Sequence, residues 1–298
     1  MYRHRLRRAP AAVARRLRRR REARDTSRLR TRLHNDPDAA PILLSPHWDD
    51  AVLDCWALLT QPVELTVVNV FAGIPRPGRL ALWDEITGAA DSAARARERL
   101  AEDTGALALA GRGAINLPLL DAQYRESQPP PSLRAIDRTL AEVVRSTSRV
   151  YAPAALGAHV DHKLTRRYAQ ALLRAGFAVA LYADLPYCVT HGWPHWVDGR
   201  DPDPHRDVDA FWRTFLVDLP ELGDLRAGRV TRLSDPQAAA KLAAMRAYHT
   251  QFPSLDGGGV ELLGNPATHR FEVVWELSRS RSRGAAAGPE GAAIGCRA

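Results

Sequence analysis

Short apolar runs near residues 41–45, 63–71, 113–118, 148–153 and 178–184 alternate with segments of helical length near 50–60, 90–110, 132–146 and 162–176. Strands separated by a whole crossover helix cannot pair as hairpins, so this alternation builds βαβ units. The fold class it predicts is α/β, a Rossmann-like, mostly parallel sheet flanked by helices. Phe211-Trp-Arg-Thr-Phe-Leu-Val217 and Phe271-Glu-Val-Val-Trp275 alternate and are expected as added C-terminal edge or antiparallel strands, with a helix from Gln237 to Tyr248 between them. With 298 residues and 45% apolar content, the chain can fill one sizeable core. The expected plan is a basic extension over 1–36, one domain over 37–277, and a tail over 278–298 whose Ser, Arg, Gly and Ala content predicts disorder.

Two polar clusters follow strand-like runs. Ser45-Pro46-His47-Trp48-Asp49-Asp50 comes after Pro41-Ile-Leu-Leu44, and His159-Val160-Asp161-His162 after Val150-Tyr-Ala-Pro153. Both are therefore expected at the carboxyl ends of strands, where open α/β sheets place their sites. A catalytic zinc takes three His or carboxylate ligands and keeps a position for water. His47 and Asp50 form one His-x-x-Asp pair, and His162 can complete a set for one Zn2+. A metal-bound water still needs a base, and Asp49 is the natural candidate. His159, a helical turn before His162, can face the same pocket and assist the substrate.

Each piece also has an ordinary explanation. An Asp-Asp pair before a helix is commonly an N-cap plus a first-turn charge, and His-x-x-His before Lys163–Leu173 can simply open a helix. The combination is more specific, because two such clusters at two strand ends are poorly explained as unrelated caps.

On these motifs, Pro46-His47-Trp48-Asp49-Asp50-Ala51 and His159-Val-Asp-His162, the chain resembles the PIG-L (LmbE-like) N-acetylglucosaminyl deacetylases, which are zinc enzymes. The resemblance runs from about Pro41 to Leu277, through Leu119–Arg125, Asp184-Leu-Pro-Tyr187 and Lys241 to Gln251. It implies His47, Asp50 and His162 as metal ligands, Asp49 as general base and His159 as the group at the carbonyl oxygen. It also implies an Arg and an Asp that contact the sugar, for which Arg99 and Asp121 stand in corresponding places. Ala51 departs from a usual Glu and Trp48 from a frequent Pro. Some members carry an oxyanion-assisting Tyr two residues before the first His of the second motif, where this chain has Gly157.

The formal net charge of +8 is unevenly spread. Residues 1–33 hold fourteen Arg against Glu22 and Asp25, or 14 − 2 = +12, which leaves 8 − 12 = −4 for the remainder. A basic patch thus exists only in the extension, with no aromatic after Tyr2 for base stacking, so no specific nucleic acid is expected. The extension reads first as a solvated or partly helical segment without catalytic role, next as peripheral contact with an anionic membrane surface or a phosphate-bearing substrate. A secretory signal ranks last, because no apolar stretch follows the arginines. Cys55, Cys188 and Cys296 are three and widely separated, with no Cys-x-x-Cys and no even framework, and a reducing cytoplasm is the simplest setting. The aromatic-rich stretch from Pro186 to His205 reads equally as a crossover whose tryptophans cover the core or as a lid over substrate.

Together these readings predict zinc-dependent removal of acetyl from an N-acetylglucosamine-containing biosynthetic intermediate. Deacylation of a longer-chain or non-sugar amide is the alternative within enzymes, and a non-catalytic binding module on the same fold the alternative outside them. Oligomeric state is not encoded in any motif.

Overall fold

The computed structural model describes residues 29–126 and 128–278. The arginine-rich stretch up to 28, Cys296 and the tail from 279 lie outside the described residues, and with them the readings of the extension and of tail disorder. Seven strands form one sheet: β1 Ile42–Ser45, β2 Thr66–Asn69, β3 Ala114–Asn116, β4 Arg149–Pro153, β5 Ala178–Tyr182, β6 Arg229–Arg232 and β7 Phe271–Glu276. Their order is β3-β2-β1-β4-β5-β7-β6, with the first five parallel. Ile42, Leu43, Leu44, Val67, Val68, Val150 and Ala152 are all buried, as expected for strands covered on both faces.

The connectivity positions the site. From β1 the chain winds outward through β2 and β3, then returns to lay β4 on the other side of β1. The β1–β4 boundary is the point where strand order reverses, and there helices diverge to opposite faces and leave a crevice. The loop after β1 carries His47 and Asp49 and runs into Asp50 at the start of the next helix; the loop after β4 ends at His159, and His162 lies in the first turn of the helix that follows. Five helices matter below: α1 Asp50–Asp54, α2 Ser92–Ala108, α3 Val160–Arg174, α4 Val208–Leu216 and α5 Asp235–Arg246.

The antiparallel flank agrees with expectation at one place and departs from it at another. β7 pairs antiparallel to β5, as its alternation predicts, and α5 matches the expected helix. By contrast, 211–217 is not a strand. Residues 208, 211, 212, 215 and 216 make an i, i+3, i+4 stripe, Trp212 and Leu216 are buried, and Asp207 caps α4 by accepting from the Ala210 amide at 2.8 Å. The edge strand is β6 instead, whose Arg-Val-Thr-Arg sequence is too polar to read as a strand. The expected helix over 50–60 is broken at Cys55, and the restart at Trp56 is capped from afar: the Glu272 carboxylate accepts from the amides of Trp56 and Ala57 at 2.8 and 3.0 Å. Buried Lys241 balances that carboxylate at 2.7 Å. Among the described residues no helix is long and apolar enough to cross a membrane.

Candidate active site

The pocket begins with Ser45. Its hydroxyl donates to the His47 carbonyl at 2.6 Å and accepts from the Ala51 amide at 3.0 Å, folding the 45–51 turn tightly onto the end of β1. Asp49 occupies the N-cap position of α1 but makes no capping hydrogen bond, so the ordinary role of this carboxylate is not exercised. Asp50 instead accepts from the His47 amide at 2.7 Å. One Asp50 oxygen stands 3.3 Å from His47 Nδ1 and the other 3.3 Å from His162 Nε2, so a single carboxylate spans the two imidazoles.

Both imidazoles are aimed from behind. His162 Nδ1 pairs with Asp184 Oδ2 at 2.9 Å, which fixes a proton on Nδ1 and turns Nε2 toward the pocket. Nε2 is buried and makes no hydrogen bond, its nearest partner being the Asp50 oxygen at 3.3 Å, and protein interiors rarely leave such an atom without a ligand. His47 Nε2 lies 3.3 Å from Asp161 Oδ2, and Asp161 is held by Arg125 at 2.5 Å and by the Ala122 amide at 2.8 Å. His47, His159 and His162 have ligand atoms within 4.8 Å of one another, as do His47, Asp49 and Asp50. Oxygen and imidazole donors in a partly closed cleft, one buried nitrogen lacking a partner, and carboxylates behind both rings fit a divalent transition metal.

Electrostatics separates the two adjacent carboxylates. Burial opposes ionisation of Asp50, but His162 and His47 outweigh it and hold the group far below the usual carboxylate range. Burial and then Asp50 raise Asp49 to about 6. For His162, burial acts downward and is overcome by Asp50 and Asp184, giving about 9, and His47 is likewise raised by Asp121, Asp161 and Asp50 against its burial. His159 goes the other way, to about 4, through burial and the neighbouring His47 and His162. It caps α3, with its Nδ1 accepting from the Asp161 amide at 3.3 Å, so the neutral ring carries its proton on Nε2.

Around this centre lies a cavity of about 250 Å³. Arg99 and Asp121 both line it, as does Trp48, whose indole donates to Asn116 at 2.9 Å. Arg99 is buried on α2 with Nη2 3.0 Å from the fully buried Asp84, and Asp121 caps the short helix Ala122–Arg125. Sequence reasoning gave no role to Asp161, Asp184, Arg125, Gln123, Trp83 or Tyr187, all of which touch the cavity or the groups that shape it. Asp184 and Tyr187 enter the sequence reading only within the Asp184-Leu-Pro-Tyr187 resemblance, without a role. In the 186–205 stretch, Trp193 and Trp196 pack edge-on against Trp212, the core-covering alternative, and only Pro186 and Tyr187 reach the cavity.

Residues 42–173 match the PIG-L family, described as GlcNAc-PI de-N-acetylase. The parallel α/β sheet and the switch-point crevice accompany this match, so over 42–173 the chain is similar to the PIG-L family. It is 29% identical over 195 residues to a 2'-N-acetylparomamine deacetylase of Niallia circulans, covering 53% of this chain and 70% of that protein. With a 2'-N-acetylparomamine deacetylase of Streptomyces fradiae the identity is 32% over 164 residues, covering 49% of this chain and 57% of that one. Among solved structures, a deacetylase triple mutant from the teicoplanin biosynthetic pathway aligns with TM-score 0.60 at 25% identity, covering 82% of this chain and all of the other. The A40926 pseudoaglycone deacetylase Dbv21 aligns with TM-score 0.58 at 25% identity, covering 83% of this chain and all of its own.

Proposed function

We propose that this protein is a zinc-dependent N-deacetylase that hydrolyses the acetamide of an N-acetylglucosamine-type sugar in a biosynthetic intermediate, yielding acetate and a free amine. The observation that carries the reading is the pair of 3.3 Å approaches by which Asp50 spans His47 and His162, with His162 Nε2 buried and making no hydrogen bond. His47, Asp50 and His162 would hold one ion, and the rest of the described domain, within the proposed boundaries 37–277, would supply the crevice. Similarity to 2'-N-acetylparomamine deacetylases and to the A40926 pseudoaglycone deacetylase supports an amino-sugar substrate.

A divalent ion, when bound, supplies a Lewis acid for the acyl oxygen and acidifies its water. Asp49 would take the proton of the attacking water as its oxygen bonds to the acyl carbon; a carboxyl raised to about 6 is matched to such an exchange near neutral pH. The same carboxyl then returns the proton to the amide nitrogen, because an amine leaves only when protonated. His159, neutral and with its proton on Nε2, donates a hydrogen bond to the carbonyl oxygen. Arg99 and Asp121, on the cavity wall, offer a donor and an acceptor for sugar hydroxyls.

The test is acetate release from N-acetylglucosamine, 2'-N-acetylparomamine and an N-acetylglucosaminyl glycopeptide pseudoaglycone, with metal content measured on the same samples. Wild type should carry about one zinc and release acetate from at least one substrate, while His162→Ala loses both. A metal-free wild type, or equal rates in wild type and variant, would defeat the assignment.

A further inference from the structure

Gly157 sits in the loop between β4 and α3, and the space its side chain would fill is already occupied. A Cβ there would stand 2.1 Å from Tyr187 Cδ1, 2.2 Å from Cγ and 2.5 Å from Cβ. No L-residue with a side chain can hold this position unless Tyr187 moves.

The two segments are fastened together by the same carboxylate that aims a proposed metal ligand. Asp184 accepts from the Leu156 amide at 2.9 Å through one oxygen and pairs with His162 through the other, and its carbonyl accepts from Cys188 at 2.9 Å. Leu185 donates to Asp54 at 2.7 Å, which ties this segment to α1 as well. The 154–159 loop accepts backbone cost to make the fit: Ala155 and Ala158 both adopt left-handed conformations, at φ 60 and 61.

Tyr187 is thereby fixed over the reacting groups. Its ring meets His162 edge-on at 5.4 Å between centroids and lies roughly parallel to His159 at 6.4 Å. It lines the cavity with His47, Asp49 and Asp50, and its hydroxyl makes no hydrogen bond among the described residues. A phenol at neutral pH retains a proton to give.

We propose that Tyr187 is a further catalytic residue of this chain, donating from its hydroxyl to the acyl oxygen of the bound substrate, and that Gly157 is the residue whose missing side chain admits it. The inference rests on the deacetylase reading and adds to it a second donor beside His159. It also makes residues 157 and 187 an interlocked pair rather than two independent positions.

Tyr187→Phe keeps the ring and removes only the hydroxyl, so it separates hydrogen bonding from packing. On whichever of the three substrates wild type cleaves fastest, kcat should fall about 10- to 1,000-fold with KM within about twofold, and zinc content and Tm unchanged. Gly157→Ala should lower kcat by displacing the ring, and Gly157→Ala/Tyr187→Phe should fall little below Tyr187→Phe alone. Wild-type kcat in Tyr187→Phe, or losses that multiply in the double variant, overturns this proposal and leaves the deacetylase reading standing. An inactive wild type overturns both.

Discussion

The crevice at the β1–β4 boundary and the tryptophan cluster on the antiparallel flank are both buried, yet they treat polar atoms in opposite ways. In the flank, Trp212 touches Trp193, Trp196 and Trp275 at 6.0, 5.9 and 5.7 Å between ring centroids, all near perpendicular. Every indole N–H there has a partner: Thr268, Asp209, Cys188 and Leu225 accept from Trp193, Trp196, Trp212 and Trp275 at 2.7 to 3.0 Å. In the crevice, Gln123 Oε1 and Gln251 Nε2 are buried without a hydrogen bond, and His162 Nε2 has only the 3.3 Å approach of Asp50. Unmade hydrogen bonds cost stability, so a region that keeps several of them is shaped for something that arrives later. The flank is built to be finished; the crevice is built to be completed.

The contrast predicts that variants in the two regions fail in different assays. Asp49→Asn should lower acetate release by about two to four orders of magnitude, the usual loss for a general base. Its Tm should hold or rise, because burial already disfavours this charge. A large drop in Tm together with rate would mean that Asp49 is a structural residue and the comparison is wrong. Trp212→Ala should do the reverse and cost about 3–5 kcal/mol in urea unfolding, as large core truncations do. The fraction that remains folded should keep its activity and its metal. Loss of specific activity in the folded fraction would show that the flank helps shape the site.

Metal binding sharpens the same distinction. With His162 raised to about 9 and His47 raised as well, both rings are protonated in the metal-free protein at pH 7, whereas a metal takes the neutral imidazole. Zinc binding at pH 7 should therefore release roughly 2 protons, one per ligand histidine. Apparent affinity should weaken as pH falls. Calorimetry in buffers of different ionisation enthalpy counts the protons directly, and release of none would place the ion elsewhere.

The legibility of the chain followed the same division. The parallel half was readable because strands buried on both faces are continuous apolar runs, and because His47 and His162 follow such runs. What could not be read is what depends on distant partners. Cys55 breaks a helix whose restart is capped by Glu272, more than two hundred residues on. The 211–217 run suits either period until Asp207 caps it as α4. Within the site, His47, Asp50 and His162 stood out as motif residues, and the structure brings them together. Asp161 and Asp184 act through hydrogen bonds across loops, and Tyr187 is meaningful only once its ring is seen to fill the place above Gly157. Signals local in sequence single out the motif residues that face the crevice; the groups that hold them are non-local.

The smallest expected effect tests whether the boundary between the regions is sharp. Asp103, on the buried face of α2, accepts from Tyr248 at 2.8 Å and from Asn69 at 2.7 Å, and Asn69 continues through Asn116 to the indole of Trp48. Burial raises its carboxyl to about 7 despite both donors. A carboxyl raised on folding binds its proton more tightly in the native state, so its contribution favours the fold at low pH. That contribution is fully present below the unfolded value of 3.8 and is lost as pH rises through about 7. Asp103→Asn has no charge to bury and can turn its amide to serve both neighbours. In the metal-free protein, the urea midpoint of wild type should therefore decline more between pH 5 and pH 8 than that of Asp103→Asn, with the variant gaining most at pH 8. Parallel profiles would mean that Asp103 titrates as an ordinary carboxylate, and that the satisfied interior begins one shell closer to the crevice than its burial implies.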